Sequence, residues 1–418
     1  MMFRNLALAS FGLALGASAA LADTTVRVLH VANDPGTLEL WNKIARDYEA
    51  QNKGVKIDLQ YLENEAFKAK LPTMLQSDAE RPSAFYSWGG GVMRAQAKAG
   101  FLQDISAGAA PWANTMSPAS VQAFQVDGKT FGIPMNTGEV GFFYNKKLFA
   151  QAGVKAEDIK TWDDLLAAAK KIKAAGITPI VVGAGEKWPM HFYWSYLVMR
   201  IGGANALADA TAGKDGGFKN ATFVEAGKRL RELAEIEPFQ AGYLSTSHPQ
   251  AEGMFGDGKA AMQLMGQWLL TAQVTNAADK KGQPNDNIGL LAFPLVPGGK
   301  GKSSDTLGGI NGWLVSKGAP KETIDFLKFF SQEKYQREAA AKGDYIPVVN
   351  GTESAIADPV VKQIASDLAV TTYHQNFFDQ DLGPSVGRVV NDISVAVAAG
   401  QMSPADGAAA VQQAFDEQ

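Results

Sequence analysis

The fold is decided by Thr25-Val26-Arg27-Val28-Leu29-His30-Val31-Ala32, then Pro35-Gly36-Thr37-Leu38, and then Val55-Lys56-Ile57-Asp58-Leu59-Gln60-Tyr61. The first segment alternates at Val26 and Val28 and then becomes continuously apolar, which suits a strand buried in a parallel sheet. Pro35 and Gly36 break it and Thr37 is placed to cap a helix, on which Leu38, Trp41, Ala45 and Tyr48 share one face. Val55, Ile57, Leu59 and Tyr61 alternate as a second strand. Strand, helix and strand in that order predict an open α/β sheet.

The same grammar returns further on. Thr161 and Asp164 resemble a capping pair, and Trp162, Leu165, Leu166, Ala169 and Ile172 form an apolar face closed by Gly176. A strand over 177–182, an amphipathic helix over 321–330 and an Ala-rich segment over 391–415, with a helix start at Ser403-Pro404, complete the pattern. At roughly 150 residues per domain, 418 residues suggest two or three domains, each able to build its own core. Residues 298–304 read as a Gly/Lys/Ser-rich connection.

Arg4, the short apolar run over 6–15 and Ala20-Leu21-Ala22 predict an export signal over residues 1–22. The chain contains no cysteine, so oxidising conditions pose no threat and a lipid anchor on cysteine is not expected. No later segment reaches the roughly 18 uninterrupted apolar residues of a membrane span, and an exported soluble monomer is expected. A formal charge of −4 without basic runs argues against nucleic acid as a partner.

Catalytic motifs fail on their own terms. Gly383-Pro384-Ser385-Val386-Gly387 resembles a nucleophile elbow, which needs a later histidine, and the last histidine is His374. Gly301-Lys302-Ser303 resembles the end of a phosphate loop, but Val296 stands where its leading glycine belongs. The scattered histidines suggest no metal centre, and no cofactor is implied. Asp163-Asp164 and Asp379 with Asp381 leave a glycoside hydrolase as the rival class.

Asp127-Gly128-Lys129-Thr130-Phe131-Gly132-Ile133-Pro134, followed by Phe143-Tyr144-Asn145-Lys146-Lys147-Leu148-Phe149, resembles the signature of the family 1 extracellular solute-binding proteins, the sugar receptors of ABC importers. Thr161-Trp162-Asp163-Asp164-Leu165, Gly258-Lys259-Ala260-Ala261-Met262, Gly266-Gln267-Trp268, residues 309–316 and Gly343-Asp344-Tyr345-Ile346-Pro347 stand in the family's order. The resemblance implies a periplasmic binding protein-like II fold: two α/β lobes joined by hinge strands, with a ligand cleft between them. It places lobe 1 at 23–133 plus 292–341 and lobe 2 at 134–291 plus 342–418. Pro134 and Pro294 near the crossings suit an edge or boundary. It also implies a Gram-negative type periplasm, transmembrane permease subunits as partners, and a sugar ligand.

A pyranose presents an apolar C–H face and a rim of hydroxyls, so its site needs aromatic plates with amide, carboxyl or imidazole groups between them. His30, Asn33 and Asp34 lie just beyond the first strand, where open α/β sheets bind ligands. Asn64, Trp88, Gly89 and Asn136 extend that wall, with Gly89 in a Gly-Gly-Gly run that backbone could bring close to a ligand. The second wall is expected from Trp188, His191 and Trp194, and from Trp268, which matches the family's stacking tryptophan. Gly309, Asn311 and Tyr345 are candidates near the later crossings. Asn33, Asp34, Asn136 and Asn311 serve equally as turn or capping residues, and His30 or His191 as packing residues. Trp41, Trp162 and Trp313 read as core. The same fold could take an anionic sugar derivative if Lys68, Arg337 or Arg388 reached the cleft.

Overall fold

The computed structural model describes residues 24–343 and 345–418, so the expected export signal over 1–22 lies outside the described residues. Strands β1 (Thr24–His30) and β2 (Val55–Tyr61) pair in parallel across their full length, joined by the Pro35–Gln51 helix. That helix is capped by Asp34, whose Oδ1 accepts from the Thr37 N–H at 2.8 Å, so Thr37 is the capped residue and not the cap. The start falls three residues earlier than expected because proline is tolerated in a first turn, where its missing N–H would have no helical partner.

β3 (Ala84–Ser87) flanks β1 on its other side, and β4 (Gln125–Val126) with β5 (Lys129–Thr130) form a separate ribbon. The remaining strands are β6 (Gly132–Asn145), β7 (Thr178–Ile180), β8 (Ala260–Gly266), β9 (Ile288–Leu291), β10 (Thr306–Val315), β11 (Ile346–Pro347) and β12 (His374–Asn376). Their main order is β2-β1-β3-β10-β6-β8-β7. β6 serves both ends: its first half pairs with β10, from Leu314 opposite Gly132 to Gly308 opposite Glu139, and its second half pairs with β8 and β9.

Pro134 therefore sits inside a central strand, contrary to the edge position expected of it. The ladder shows why this is tolerated: Asn311 faces Asn136 while Gly312 faces Pro134, so Met135 is an extra, bulged residue. A bulge already interrupts the ladder where proline would, and it re-aims the neighbouring side chains.

Buried core lies on both sides of this shared strand. Trp41, Trp313 and Phe330 meet edge to face at 5.2 to 5.8 Å on the β1 side. On the other side Phe293 stacks on Tyr196 at 4.5 Å and on Phe142 and Trp162 at 5.7 Å. Core contacts cross the expected divisions. Phe293, Val296 and Leu307 pack with the second core although they lie beyond 292, and beyond 342 the contacts are mixed, Ile346 packing with the second core and Tyr345, Val348 and Val349 with the first.

The first of these crossings has an electrostatic cause. Arg200, buried on the Trp188–Gly202 helix, donates from Nε and Nη2 to the Phe293 carbonyl at 3.1 and 3.0 Å, and from Nη1 to the Asp305 carbonyl at 2.9 Å. Both ends of the segment before β10 are thereby tied to the second lobe. Buried carbonyls left without donors cost about 1–3 kcal/mol each. Arg200→Met, which keeps packing against Tyr196 but removes every donor, is expected to destabilise the protein by about 2–4 kcal/mol, read as a lowered urea midpoint.

Candidate functional site

A cavity of about 230 Å³ opens between the two cores, bounded by residues from both. On the first-lobe side Asn33 and Asp34 follow β1 and Asn64 begins the Asn64–Gln76 helix. Trp88 follows β3, and Met135 and Asn136 come from the bulge. Strand alternation alone would aim Met135 and Asn136 to opposite faces, whereas the bulge lets both line one cavity. Asn311 donates from Nδ2 to Asn136 Oδ1 at 2.8 Å, joining β10 to β6 at the cavity wall. Tyr345 completes this side.

The second-lobe side is aromatic. Trp188, His191 and Phe192 share one face of a helix at three- and four-residue spacing, and all three line the cavity. Trp268 lies 6.5 Å from Trp188 and 6.4 Å from Phe377, ring centre to ring centre. Its indole folds back over β8 because residue 266 is glycine: a Cβ there would lie 2.0 Å from the indole ring.

Ten of the expected site residues thus line the cavity, and four do not. His30 is 2% exposed, packed edge-on against Trp41 at 5.2 Å, and burial lowers its pKa to about 4, so it is a neutral packing residue. Trp194 is turned roughly 120° around its helix from Trp188 and packs against Phe223 and Phe378. Gly309 is covered by Phe377, whose ring would lie 2.6 Å from a Cβ at that position. Gly89 faces the Ala123 carbonyl, and its neighbours Gly90 and Gly91 seat the chain against the Gln380 and Asp381 carbonyls of the second lobe. The glycine run therefore brings backbone close to protein and not to the cavity. Trp41, expected as core, is buried and also reaches the cavity wall.

Sequence reasoning missed His248, Glu252 and Gln267, and weighed Lys68 only for an anionic ligand and Asp379 only for a hydrolase; all five line the cavity. Two histidine–carboxylate pairs flank Trp188. His191 Nδ1 lies 2.7 Å from the Trp188 carbonyl and Nε2 lies 3.8 Å from Asp379 Oδ1; burial lowers its pKa, outweighing the nearby carboxylate. The His248 ring lies 4.8 Å from Trp188, and its Nε2 is 2.7 Å from Glu252 Oε1. The approach is too far off line for a straight hydrogen bond, so charge attraction dominates that pair. Burial pulls the His248 pKa down, but Glu252, Glu186 and Glu63 outweigh it, and the net shift is upward. Among the described residues no three His, Cys, Asp or Glu groups gather to hold a metal ion, and no helix is long and apolar enough to cross a membrane.

The raised His248 pKa carries a sign that can be tested. A histidine bound more tightly to its proton in the folded state adds stability that is full below its unfolded pKa of about 6.5 and is lost as pH rises through the folded value. The stability difference between the wild type and His248→Gln is therefore expected to shrink as pH rises above about 6.5, checked by paired urea titrations across that range.

Comparison with known proteins agrees with this geometry. The sequence profile of the family described as bacterial extracellular solute-binding protein matches residues 34–337. The chain is 25% identical over 368 residues to a binding protein of Brucella abortus (strain 2308), covering 86% of this chain and 84% of that one. It is 26% identical over 339 residues to the diacetylchitobiose binding protein of Streptomyces coelicolor, covering 78% and 74% respectively. The solved structure of a chitin oligosaccharide binding protein superposes with a TM-score of 0.85 at 26% identity, covering 94% of this chain and 98% of that one.

Proposed function

The chain belongs to the bacterial extracellular solute-binding proteins, and we propose that it is the periplasmic receptor of an ABC importer, capturing a neutral sugar of one to three rings. In this reading the ligand lies in the interlobe cleft and is handed intact to the permease subunits by a monomeric receptor. The observation that carries it is the division of labour across one cavity: indole and phenyl faces at Trp188, Trp268 and Phe377 on one wall, amides at Asn33, Asn64, Asn136 and Asn311 on the other. Aromatic faces match the C–H face of a pyranose, and amides both donate to and accept from its hydroxyls. Relatives named for diacetylchitobiose and chitin oligosaccharides support a short saccharide.

The charge of the cleft favours a neutral ligand over an anionic one. Lys68 is the one Lys or Arg among the described residues lining the cavity, against Asp34, Glu252 and Asp379. Arg337 is engaged with Glu333 at 2.7 Å elsewhere, and Arg388 is not in the cavity wall. Glycoside hydrolysis calls for a carboxyl group kept protonated beside the scissile bond. Glu139, raised by burial to about 8, lies in β6 outside the cavity wall. Asp379, which does line it, is held below the usual carboxylate range: burial would raise it, but His191, Lys68 and neighbouring amides outweigh burial.

Closure follows from the two-sided chemistry, because only the closed form lets one ligand touch both walls, and binding shifts the population toward it. A thermal-shift panel of neutral mono- to trisaccharides is expected to yield at least one that raises the melting temperature and is recovered unchanged. Release of hydrolysed product, or a response confined to phosphorylated or carboxylated sugars, would overturn the reading. Trp268→Ala is expected to weaken the bound saccharide by about 10- to 150-fold, the loss of roughly 1.5–3 kcal/mol of buried aromatic contact, measured by calorimetric titration.

A further inference from the structure

Asp379 and Lys68 come from opposite lobes, lie far apart in sequence, and meet at the cavity. Asp379 sits on the short Phe378–Asp381 helix of the second lobe and is 7% exposed. Its Oδ2 accepts from Gln380 Nε2 at 3.2 Å and from Asn391 Nδ2 at 3.3 Å, which fixes the carboxylate in place. Lys68, 27% exposed on the first-lobe Asn64–Gln76 helix, brings Nζ to 3.8 Å from the same oxygen. That ammonium is itself positioned, 3.2 Å from Glu65 Oε1 and 5.6 Å above the centre of the Trp88 ring.

Two features make this more than a salt bridge. The two neighbours of Asp379, the Lys68 Nζ and the His191 Nε2, both stop at 3.8 Å, beyond the roughly 2.7–3.2 Å of a direct hydrogen bond. The carboxylate thus draws the ammonium by charge while its hydrogen bonds come only from amides, leaving acceptor capacity unspent, since an ionised carboxylate offers about four lone-pair sites. Beside it, His191 Nε2 is buried, makes no hydrogen bond within the protein and lines the same cavity. A hydroxyl placed there would meet a charged acceptor and an imidazole nitrogen together.

We propose that Asp379 is the acceptor for a hydroxyl of the bound ligand and that Lys68 balances its charge from the opposite lobe, coupling recognition to closure through one ion pair. The assignment rests on the saccharide-receptor reading. Once the lobes part, the carboxylate loses its counter-charge and the ligand its strongest anchor, so the pair acts chiefly on the rate of release. Lys68 is a positioning residue here, and Asp379 a specificity-determining one. The same arrangement explains why Trp88 lines the cavity without offering both faces to a sugar ring, since Lys68 stands over it.

The test uses the full-length receptor and whichever neutral saccharide the thermal-shift panel identifies. Asp379→Asn keeps the shape of the side chain and removes its charge, and is expected to raise Kd by about 10- to 100-fold, the worth of a charge-assisted hydrogen bond. Lys68→Met is expected to raise the dissociation rate, followed by stopped-flow tryptophan fluorescence, with less effect on association. In the double variant the two losses are expected to be markedly less than additive, as for groups acting through one interaction. Unchanged affinity in Asp379→Asn, or fully additive losses, would overturn the proposal. Should Asp379→Asn fail to fold, Lys68→Met decides alone, and an unchanged dissociation rate counts against the pair. A wild type that binds no saccharide fails the receptor reading itself, whereas a binding wild type with indifferent variants fails only this assignment.

Discussion

One strand holds the molecule together. β6 runs unbroken from Gly132 to Asn145, giving its first half to β10 and the sheet of one lobe, and its second half to β8 and β9 of the other. The ladders that β6 forms with its partners fix where each lobe stands relative to the strand, so a cleft opens where the two halves diverge. The bulge at Met135 lies on this shared spine, and it turns Met135 and Asn136 toward the space between the lobes. The position of the site is thus a by-product of the crossing.

The two walls differ in the origin of their chemistry. The first-lobe wall is made of chain ends: the loop after β1, the first turn of a helix, the residue after β3, and the bulge. These places supply amides and carboxylates already suited to turns and caps, as Asp34 shows by capping a helix with one oxygen while lining the cavity. The second wall is made of element faces, with a helix buried on nearly every side contributing Trp188, His191 and Phe192. A buried helix is stiff, and rigid aromatic plates lose little entropy when a ring settles against them.

The α/β architecture was legible in the opening strand-helix-strand pattern because its periodicities are local, and so was the wall carried by Trp188, His191 and Trp268. Trp194 was not separable by the helical period alone. Six residues after Trp188, it is turned roughly 120° around the helix from it, and tertiary packing against Phe223 and Phe378 puts it in the core. Asp34 was open to a capping role, but Thr37 was preferred because Pro35 looks like a break and is a helix start. His248 and Glu252 carried no local signal, and Lys68 and Asp379 stood out only as groups for an anionic ligand or a hydrolase. Each looks like an ordinary helix-surface charge, and only tertiary folding brings Lys68 to Asp379, far away in the chain. The bulge is likewise a property of two strands together, invisible in either one.

Arg200 fixes a boundary that a gene map would draw elsewhere. By gripping the Phe293 and Asp305 carbonyls it makes the segment between them a dependent of its own lobe, even though that segment feeds directly into a strand of the neighbour. Neither half can be cut out as a contiguous piece, and a shortened version of the first lobe that began its later portion at 292 would carry away a stretch whose anchoring guanidinium had been left behind. The segment from Phe293 through Leu307 travels with the lobe that carries Arg200.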